Sequence, residues 1–449
     1  MILLPALTPR LERLAEAWRD PRPRLRIPEL ALGMLCADHP KTVTSALVWL
    51  GLQDQDWSWP YQALSSPTWR MHELFDPLLE DALRLRPDPQ SPIFSAQDDS
   101  LLRKTGRKMP GTFYARDPLS PPFQTNLVLG QRFLQTSILM RVPGQQRPAR
   151  SIPVSFRHTP PLKAPPRSSA EVKKQVKEAA KKKTQSHAAL EELCALRVRL
   201  DRLGAESRVL VNTVDGSFAN RNYLRDLPER TVVVARFRKD AKLRAFLPRE
   251  QRRGPKKYGP KLPTPDQYRK DDAIPWQELA VFVAGEMRTL RYKCVDSVCW
   301  PQATLDRPLR LIIIKEAGYR LCKGSALLYR EPAYLIATSF DFAPSILIEA
   351  YLGRWEIEVN FREEKNGLGV GQAQVWNPKA VACAPAFLVA CYSSLLLSSI
   401  EAFDDRRTDA LDSLAAWRNH KPLRPSLREL IQLLRREAAE RRRTHSAAA

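Results

Sequence analysis

The chain has no CxxC pair and no cluster of histidines. Its seven cysteines (Cys36, Cys194, Cys294, Cys299, Cys322, Cys383 and Cys391) are scattered and odd in number, and its six histidines are dispersed. That pattern argues against a zinc site and against a disulfide framework. The thiols read as reduced and mostly buried, in an intracellular protein. No serine or cysteine can be paired with a histidine by spacing. The first residues, MILLPALTPR, have neither a basic leader nor a long apolar core, so no signal peptide is expected. No internal repeat is visible. Only residues 380–400 form an uncharged run long enough to cross a membrane. The run is rich in Ala, Cys and Ser, holds Pro385 and has no second span beside it. A buried core helix is the expectation, and a membrane anchor is its rival.

Acidic residues are also in short supply. Asp and Glu number 49 against 72 Lys and Arg, a formal charge of +23 on 449 residues. A surplus this large repels itself unless a polyanion uses it, which puts nucleic acid first and an anionic membrane surface second. The length exceeds one ordinary domain, so two or three units are expected.

Residues 1–88 read as helical, with Leu11, Leu14 and Ala15 on one face and Trp69, Leu74, Leu78, Leu79 and Leu83 at helical spacing. Residues 41–52 and the stretch Trp57-Ser-Trp59-Pro-Tyr61 fit a compact DNA-binding helical module and a plain packing domain equally. Short strands are expected over 93–97, 126–129 and 136–142. The proline-rich residues 143–167 read as an irregular connection. A capping box of Ser168 and Glu171 starts a basic helix with Lys173, Lys174, Lys177, Lys181 and Lys183, ending near Gly204. Its charges suit a solvated face or a phosphate backbone. A buried strand over 208–214 leads directly into Asp215. After a strand over 231–237 and a basic stretch over 238–265, strands over 279–284, 289–295 and 309–315 suggest a β-rich insertion. A last strand over 334–339 precedes a long helix over 345–366 and a basic helical tail. The glycine run Gly367-Leu-Gly369-Val-Gly371 lacks the Gly-Lys-Ser/Thr ending of a phosphate loop and reads as a helix stop.

The long helix carries the chemistry. Tyr351, Arg354, Glu358 and Lys365 lie at i, i+3, i+7 and i+14, and at about 100° per residue they fall within about 60° of one another. Glu356, Glu363 and Glu364 point elsewhere, so Glu358 is the one acid among bases on that face. It fits a structural ion-pair cluster, or a metal-binding carboxylate whose basic neighbours grip phosphates. The second reading needs further carboxylates from separate elements. Candidates stand at strand ends: Asp98-Asp99-Ser100 and Asp215-Gly216-Ser217. Taken alone, Asp215 also suits a helix cap and Asp99 a turn.

On these residues the chain resembles bacterial insertion-sequence transposases with a DDE core, in the insertion-sequence-four-like branch marked by Y-x2-R-x3-E-x6-K. All four signature positions match. The resemblance covers about residues 90–403 and implies an α/β fold: an RNase H-like mixed-sheet core interrupted by a β-rich insertion, with helical N- and C-terminal regions. The units would be 1–88, a helical DNA-binding region; 89–237 and 333–403, the two parts of the core; 238–332, the insertion; and 404–449, a basic tail. It implies a metal-dependent transposase that cuts element ends and joins them to target DNA, with two Mg2+ ions, replaceable by Mn2+, on Asp99, Asp215 and Glu358. Asp99 is chosen because a serine follows it, with Asp98 as the alternative. Tyr351, Arg354 and Lys365 would contact phosphates. Trp355 and Tyr334 would hold a flipped base or DNA end, or else pack in the core. The implied partners are double-stranded DNA, as terminal inverted repeats and target, and a second copy of the chain on paired ends. No membrane is involved, and the implied location is the cytoplasm, at the nucleoid. The alternatives are a domesticated DNA-binding protein of the same fold and a nuclease that never joins.

Overall fold

The computed structural model describes residues 1–38, 41–65, 70–86, 90–117, 120–121, 123–140, 149–165, 167–252, 254–255, 257–283, 286–319, 326, 328–329, 331–413 and 422–448. Trp69, Cys322 and residues 143–148 of the proline-rich connection lie outside them. Five helices come first: α1 (Leu3–Ala15), α2 (Pro21–Cys36), α3 (Val43–Leu50), α4 (Ser58–Ser65) and α5 (Met71–Arg84). Strands β1 (Ile93–Arg103), β2 (Phe113–Arg116), β3 (Leu127–Met140) and β4 (Arg150–His158) follow, then helices α6 (Ala170–Lys182) and α7 (Gln185–Arg202). Next come β5 (Leu210–Val214), α8 (Arg221–Leu224), β6 (Thr231–Arg236), β7 (Arg244–Ala245), α9 (Pro265–Lys270), β8 (Gln277–Val283), β9 (Glu286–Cys299), α10 (Pro301–Thr304) and β10 (Leu309–Ile314). A short hairpin, β11 (Gly318–Tyr319) and β12 (Leu328–Tyr329), precedes β13 (Ala333–Ala337), α11 (Pro344–Gly353), α12 (Trp355–Arg362), α13 (Pro378–Phe403) and α14 (Leu427–Ala448).

Eleven of these strands join in one mixed sheet, in the order β2-β3-β1-β5-β6-β13-β10-β9-β7, with β4 on β3 and β8 on β9. Strands β1, β5 and β6 run parallel and the remaining pairs are antiparallel. This is the mixed α/β sheet of an RNase H-like fold. The strands expected of an insertion form no separate sheet among the described residues: β9 and β10 continue the core sheet across β13.

Several expected elements change. The two strands expected over 126–142 are one strand, β3. Of the polar residues that divide them in sequence, Gln131 is buried and donates to the Pro110 carbonyl at 2.7 Å. Part of the connection expected to be irregular is strand β4 despite Pro153. The register shifts at that proline, and β4 pairs only with β3 among the described residues, so its missing N–H breaks no ladder. The helix expected over 168–204 is two helices, broken at Lys183, and its first cap is Ser169 rather than Ser168. Strand β1 does not end at its aspartates; it runs on against β3, while its parallel partner β5 stops.

The apolar run at 380–400 is the centre of α13, and it is buried against β4 and the N-terminal helices. Its serines can lie in apolar surroundings because they return hydrogen bonds to the backbone: Ser394 to the Ala390 carbonyl at 3.0 Å and Ser393 to the Pro153 carbonyl at 2.8 Å. This is the one described helix long and apolar enough to cross a membrane, and here it serves as a core helix.

The N-terminal helices share that core. Trp18 stands edge-on to Phe387 of α13, centroids 5.6 Å apart, and its indole N–H donates to the Ala63 carbonyl at 3.0 Å. Lys41, in the stretch that fits a DNA-binding module or a packing domain, is buried and donates to the Leu35 and Ala37 carbonyls at 2.6 and 2.8 Å, capping α2. The buried Glu437 of α14 accepts from the backbone N–H groups of Ile2, Leu3 and Leu4 at 2.7, 3.2 and 2.6 Å. It thereby satisfies the start of α1, which has no side-chain cap of its own. Replacing it, Glu437→Ala, leaves these donors unmet and is expected to cost on the order of 1–3 kcal/mol. Denaturant unfolding would measure the change, and an unaltered midpoint would show that the cap contributes nothing.

Candidate active site

The site is built where β1 outruns β5. Alternation along the paired strands decides which side chains meet. Ser95, Gln97 and Asn212 share one face, where the Ser95 hydroxyl donates to Asn212 at 2.7 Å and the Asn212 amide to Gln97 at 3.2 Å. Ala96, Asp98, Thr213 and Asp215 therefore belong to the other face, under α11 and α12. There the Arg354 guanidinium donates to Asp98 Oδ2 at 2.8 Å and to Glu358 Oε1 at 3.0 Å. One arginine thus joins the middle of the first strand to the signature helix.

Asp99 turns the other way and pairs with Arg132 at 3.3 Å. It still lines the same cleft of about 950 Å³, together with Asp98, Glu358 and Lys365. Asp215 stands at the end of β5, its Oδ1 accepting from the Ser217 N–H and hydroxyl at 2.8 and 2.6 Å. Burial pushes the Asp98 carboxyl up to about 7; Arg354 opposes this, and the neighbouring charge of Asp215 adds to it. Asp99 is raised for the same reasons, by burial first and then against the pull of Arg132. Burial lowers the Lys365 ammonium, and the nearby Glu364 and Asp99 hold it up.

The helix face forecast from spacing is present, with two local departures. At Arg354, between α11 and α12, the backbone stays helical (φ −56°, ψ −32°) but the hydrogen bonds tighten to i→i+3, and residues Glu363–Gly367 form a π-type turn that carries Lys365. The Arg354 guanidinium carbon lies 5.8 Å from the Tyr351 ring centroid, and Tyr351 is raised by burial. The other acids of the helix lie elsewhere. Glu356 pairs with Arg424, Glu363 accepts from the Tyr392 hydroxyl, and Glu364 is buried under the sheet. The turn after the helix needs glycine at Gly369 and Gly371, whose φ values are +65° and +97°. Lys104 pins it by donating to the Gly371 and Ala373 carbonyls at 2.6 and 2.8 Å.

Trp355 is 63% exposed beside Arg354. Tyr334 does not join the group. It is buried on the opposite face of the sheet, and its hydroxyl donates to Asp266 at 2.8 Å. A side chain held in this way is packed, not presented, because neighbouring residues of a strand face opposite sides. Arg132 escaped the sequence reading altogether, since only the β1–β3 register brings it to Asp99.

Glu364 was also overlooked as a site neighbour. With its amide oriented to accept from Ser137, Gln135 donates to both Glu364 oxygens at 2.9 and 3.2 Å. Burial nevertheless pushes this carboxyl from 4.5 up to about 8, against the pull of Lys365. The folded chain therefore keeps a proton that the unfolded chain loses, and stability falls as pH rises from the unfolded value through the folded one. Glu364→Gln is expected to gain on the order of 2 kcal/mol at about pH 8 and little at about pH 5. Thermal midpoints of both proteins across that range would check it; a constant offset would overturn the assignment.

The donor set suits a hard divalent cation. It consists of carboxylate oxygens only, and the burial and neighbouring Asp215 charge that raise Asp98 are what a cation would offset. Among the described residues no three of these groups close around one point, and the Arg354 guanidinium lies between Asp98 and Glu358.

A mixed-sheet α/β core with β1, β5 and β6 parallel at its centre is of the RNase H-like type. A family model, DDE superfamily endonuclease, matches residues 22–305, well over half of the chain, and the chain belongs to that family. As a DDE-type endonuclease it falls in a class that acts on DNA and depends on divalent metal. The comparison with curated proteins finds no match.

Proposed function

We propose that the chain is a cut-and-paste transposase of the Y-x2-R-x3-E-x6-K branch, which binds the inverted repeats of its own element, cleaves them and joins them to target DNA. The observation that carries this reading is the Arg354 bridge between Asp98 and Glu358, which ties the signature face to the middle of β1, beside the end of β5. Asp98, Asp215 and Glu358 are the proposed metal-holding carboxylates, with Asp99 at the other wall of the cleft. Asp98 replaces Asp99 as first choice because it shares a face with Asp215 and α12. When bound, Mg2+ or Mn2+ supplies charge neutralisation and activates the attacking oxygen.

The chain's own residues do the rest. Arg354 grips a phosphate beside the reacting bond, its planar guanidinium suited to a bidentate hold. Lys365 and Tyr351 hold flanking phosphates, and the exposed Trp355 stacks on a displaced base or DNA end. In this reading residues 1–88 contribute to DNA binding from their outer surface, where Trp57 and Tyr61 are 64% and 45% exposed. The active unit is a dimer on paired ends, working in the cytoplasm at the nucleoid.

The test is incubation of purified protein with labelled DNA carrying the ends that flank its coding sequence, in Mg2+, Mn2+ or Ca2+, followed by addition of target DNA. Metal-dependent cuts at the ends and joined products are expected. Cuts without joined products would leave a simple nuclease, and tight binding without cuts a domesticated binding protein.

A further inference from the structure

Helix α6 has no buried residue; only Val176 and Ala180 are even partly covered. A helix that packs so little contributes almost nothing to the core, and its charges work against it. Lys173, Lys177 and Lys181 follow one another at i, i+4, a like-charge spacing that costs an isolated helix about 0.2–0.5 kcal/mol per pair. With Lys174 they form one stripe about 100° wide, at about 100° per residue. Glu178 is turned to Lys181, at 2.6 Å, and cancels only part of the charge. A solvated basic face is common, and charge alone would carry nothing further.

The position of the helix does. It ends at Lys183, and Thr184 starts α7 with a cap in which its hydroxyl and the His187 ring lie 2.9 Å apart. Two residues further on, the Ser186 hydroxyl accepts from the Asn220 amide at 2.8 Å. The same amide donates to the Ser217 carbonyl at 2.8 Å, and Ser217 donates to Asp215. The chain Ser186–Asn220–Ser217–Asp215 therefore fastens the first turn of α7, which directly follows the lysine helix, to the end of β5 that carries Asp215.

We infer that α6 is an arm that tracks the phosphates of duplex DNA on one side of the reacting bond. The inference rests on the proposed site and extends it. Thirteen residues at about 1.5 Å each give an arm of about 20 Å, or about six base pairs. Phosphates at that spacing would relieve the lysine repulsion that the free helix bears. Because the side chains touch no core, neutralising them leaves the fold intact.

The experiment is the salt dependence of binding by the full chain to a mixed-sequence duplex of about 40 base pairs, in Ca2+. The native protein is compared with Lys173→Gln/Lys174→Gln/Lys177→Gln/Lys181→Gln, and with Arg238→Gln/Arg291→Gln/Arg406→Gln/Arg436→Gln, four exposed arginines outside the proposed DNA-binding region, as a control for net charge. The lysine variant is expected to flatten the slope of log K against log salt by about 2–4 and to bind more than about tenfold more weakly at 0.1 M salt. The control should flatten it by less than about 1. An unchanged slope in the lysine variant, or an equal loss in the control, overturns the inference. Glu358→Gln, assayed for cutting, separates this from the site: if it still cuts, the site reading fails whatever the slopes show.

Discussion

Glu358→Gln is expected to lower metal-dependent strand cleavage by on the order of 10³-fold or more while leaving duplex binding within about twofold. The substitution keeps the volume and the hydrogen bond from Arg354, which the amide oxygen still accepts. It removes the one negative charge that the signature helix presents to the cleft. Glu358 is 36% exposed at its side chain, the most exposed member of the Arg354 bridge, so the fold is expected to stay intact. Gel-based cleavage and binding assays on the same DNA separate the two effects. Cleavage at the native rate would remove Glu358 from the chemistry and reduce it to an ion-pair partner of Arg354.

Arg354→Ala is expected to act on both stability and cleavage. Arg354 and Asp98 are 13% and 16% exposed at their side chains, and Asp98 already feels the charges of Asp215 and Asp99. Without the guanidinium a buried carboxylate loses its cation, which is expected to cost on the order of 2–4 kcal/mol. Adding Asp98→Asn to that background should recover most of the stability, since the stranded charge is gone, and none of the cleavage. Mn2+ should stabilise Arg354→Ala more than the native protein, because it supplies the missing positive charge. Denaturant titrations of the native protein, Arg354→Ala, Asp98→Asn and the double variant, with and without Mn2+, close the cycle. A loss below about 0.5 kcal/mol in Arg354→Ala would mean that the bridge does not hold the site together. Arg354→Lys keeps the charge and cannot span both carboxylates, so it should fall between.

How far the site could be read beforehand follows the range of the interactions involved. Tyr351, Arg354, Glu358 and Lys365 share a face because helical geometry is local, and fifteen residues suffice to lay it out. The π-type turn at Glu363–Gly367 shifts the last of them without removing it from the cleft. Asp215 after a short strand rich in Val and Leu was visible for the same reason. The order of Asp98 and Asp99 was not, because a strand side chain has a side only once its neighbours are in register. The serine after Asp99 pointed one way in sequence, and the Ala96–Thr213 pairing points the other. Tyr334 failed for a related reason: its fate depends on Asp266, 68 positions away.

The sequence by itself determined the class of protein: the charge surplus, the helix that carries Glu358, the apolar strands of the core and the apolar helix that fills it. These follow from composition and from periodicities that a short segment imposes on itself. Tertiary structure alone decided that Pro153 lies in a strand, that the N-terminal helices share the core with α13, that Glu437 caps α1 from the far end of the chain, and that Arg354 links Asp98 to Glu358. Each of these joins residues far apart in the chain through burial or a hydrogen bond. Local propensity holds no information about a partner that only folding brings near.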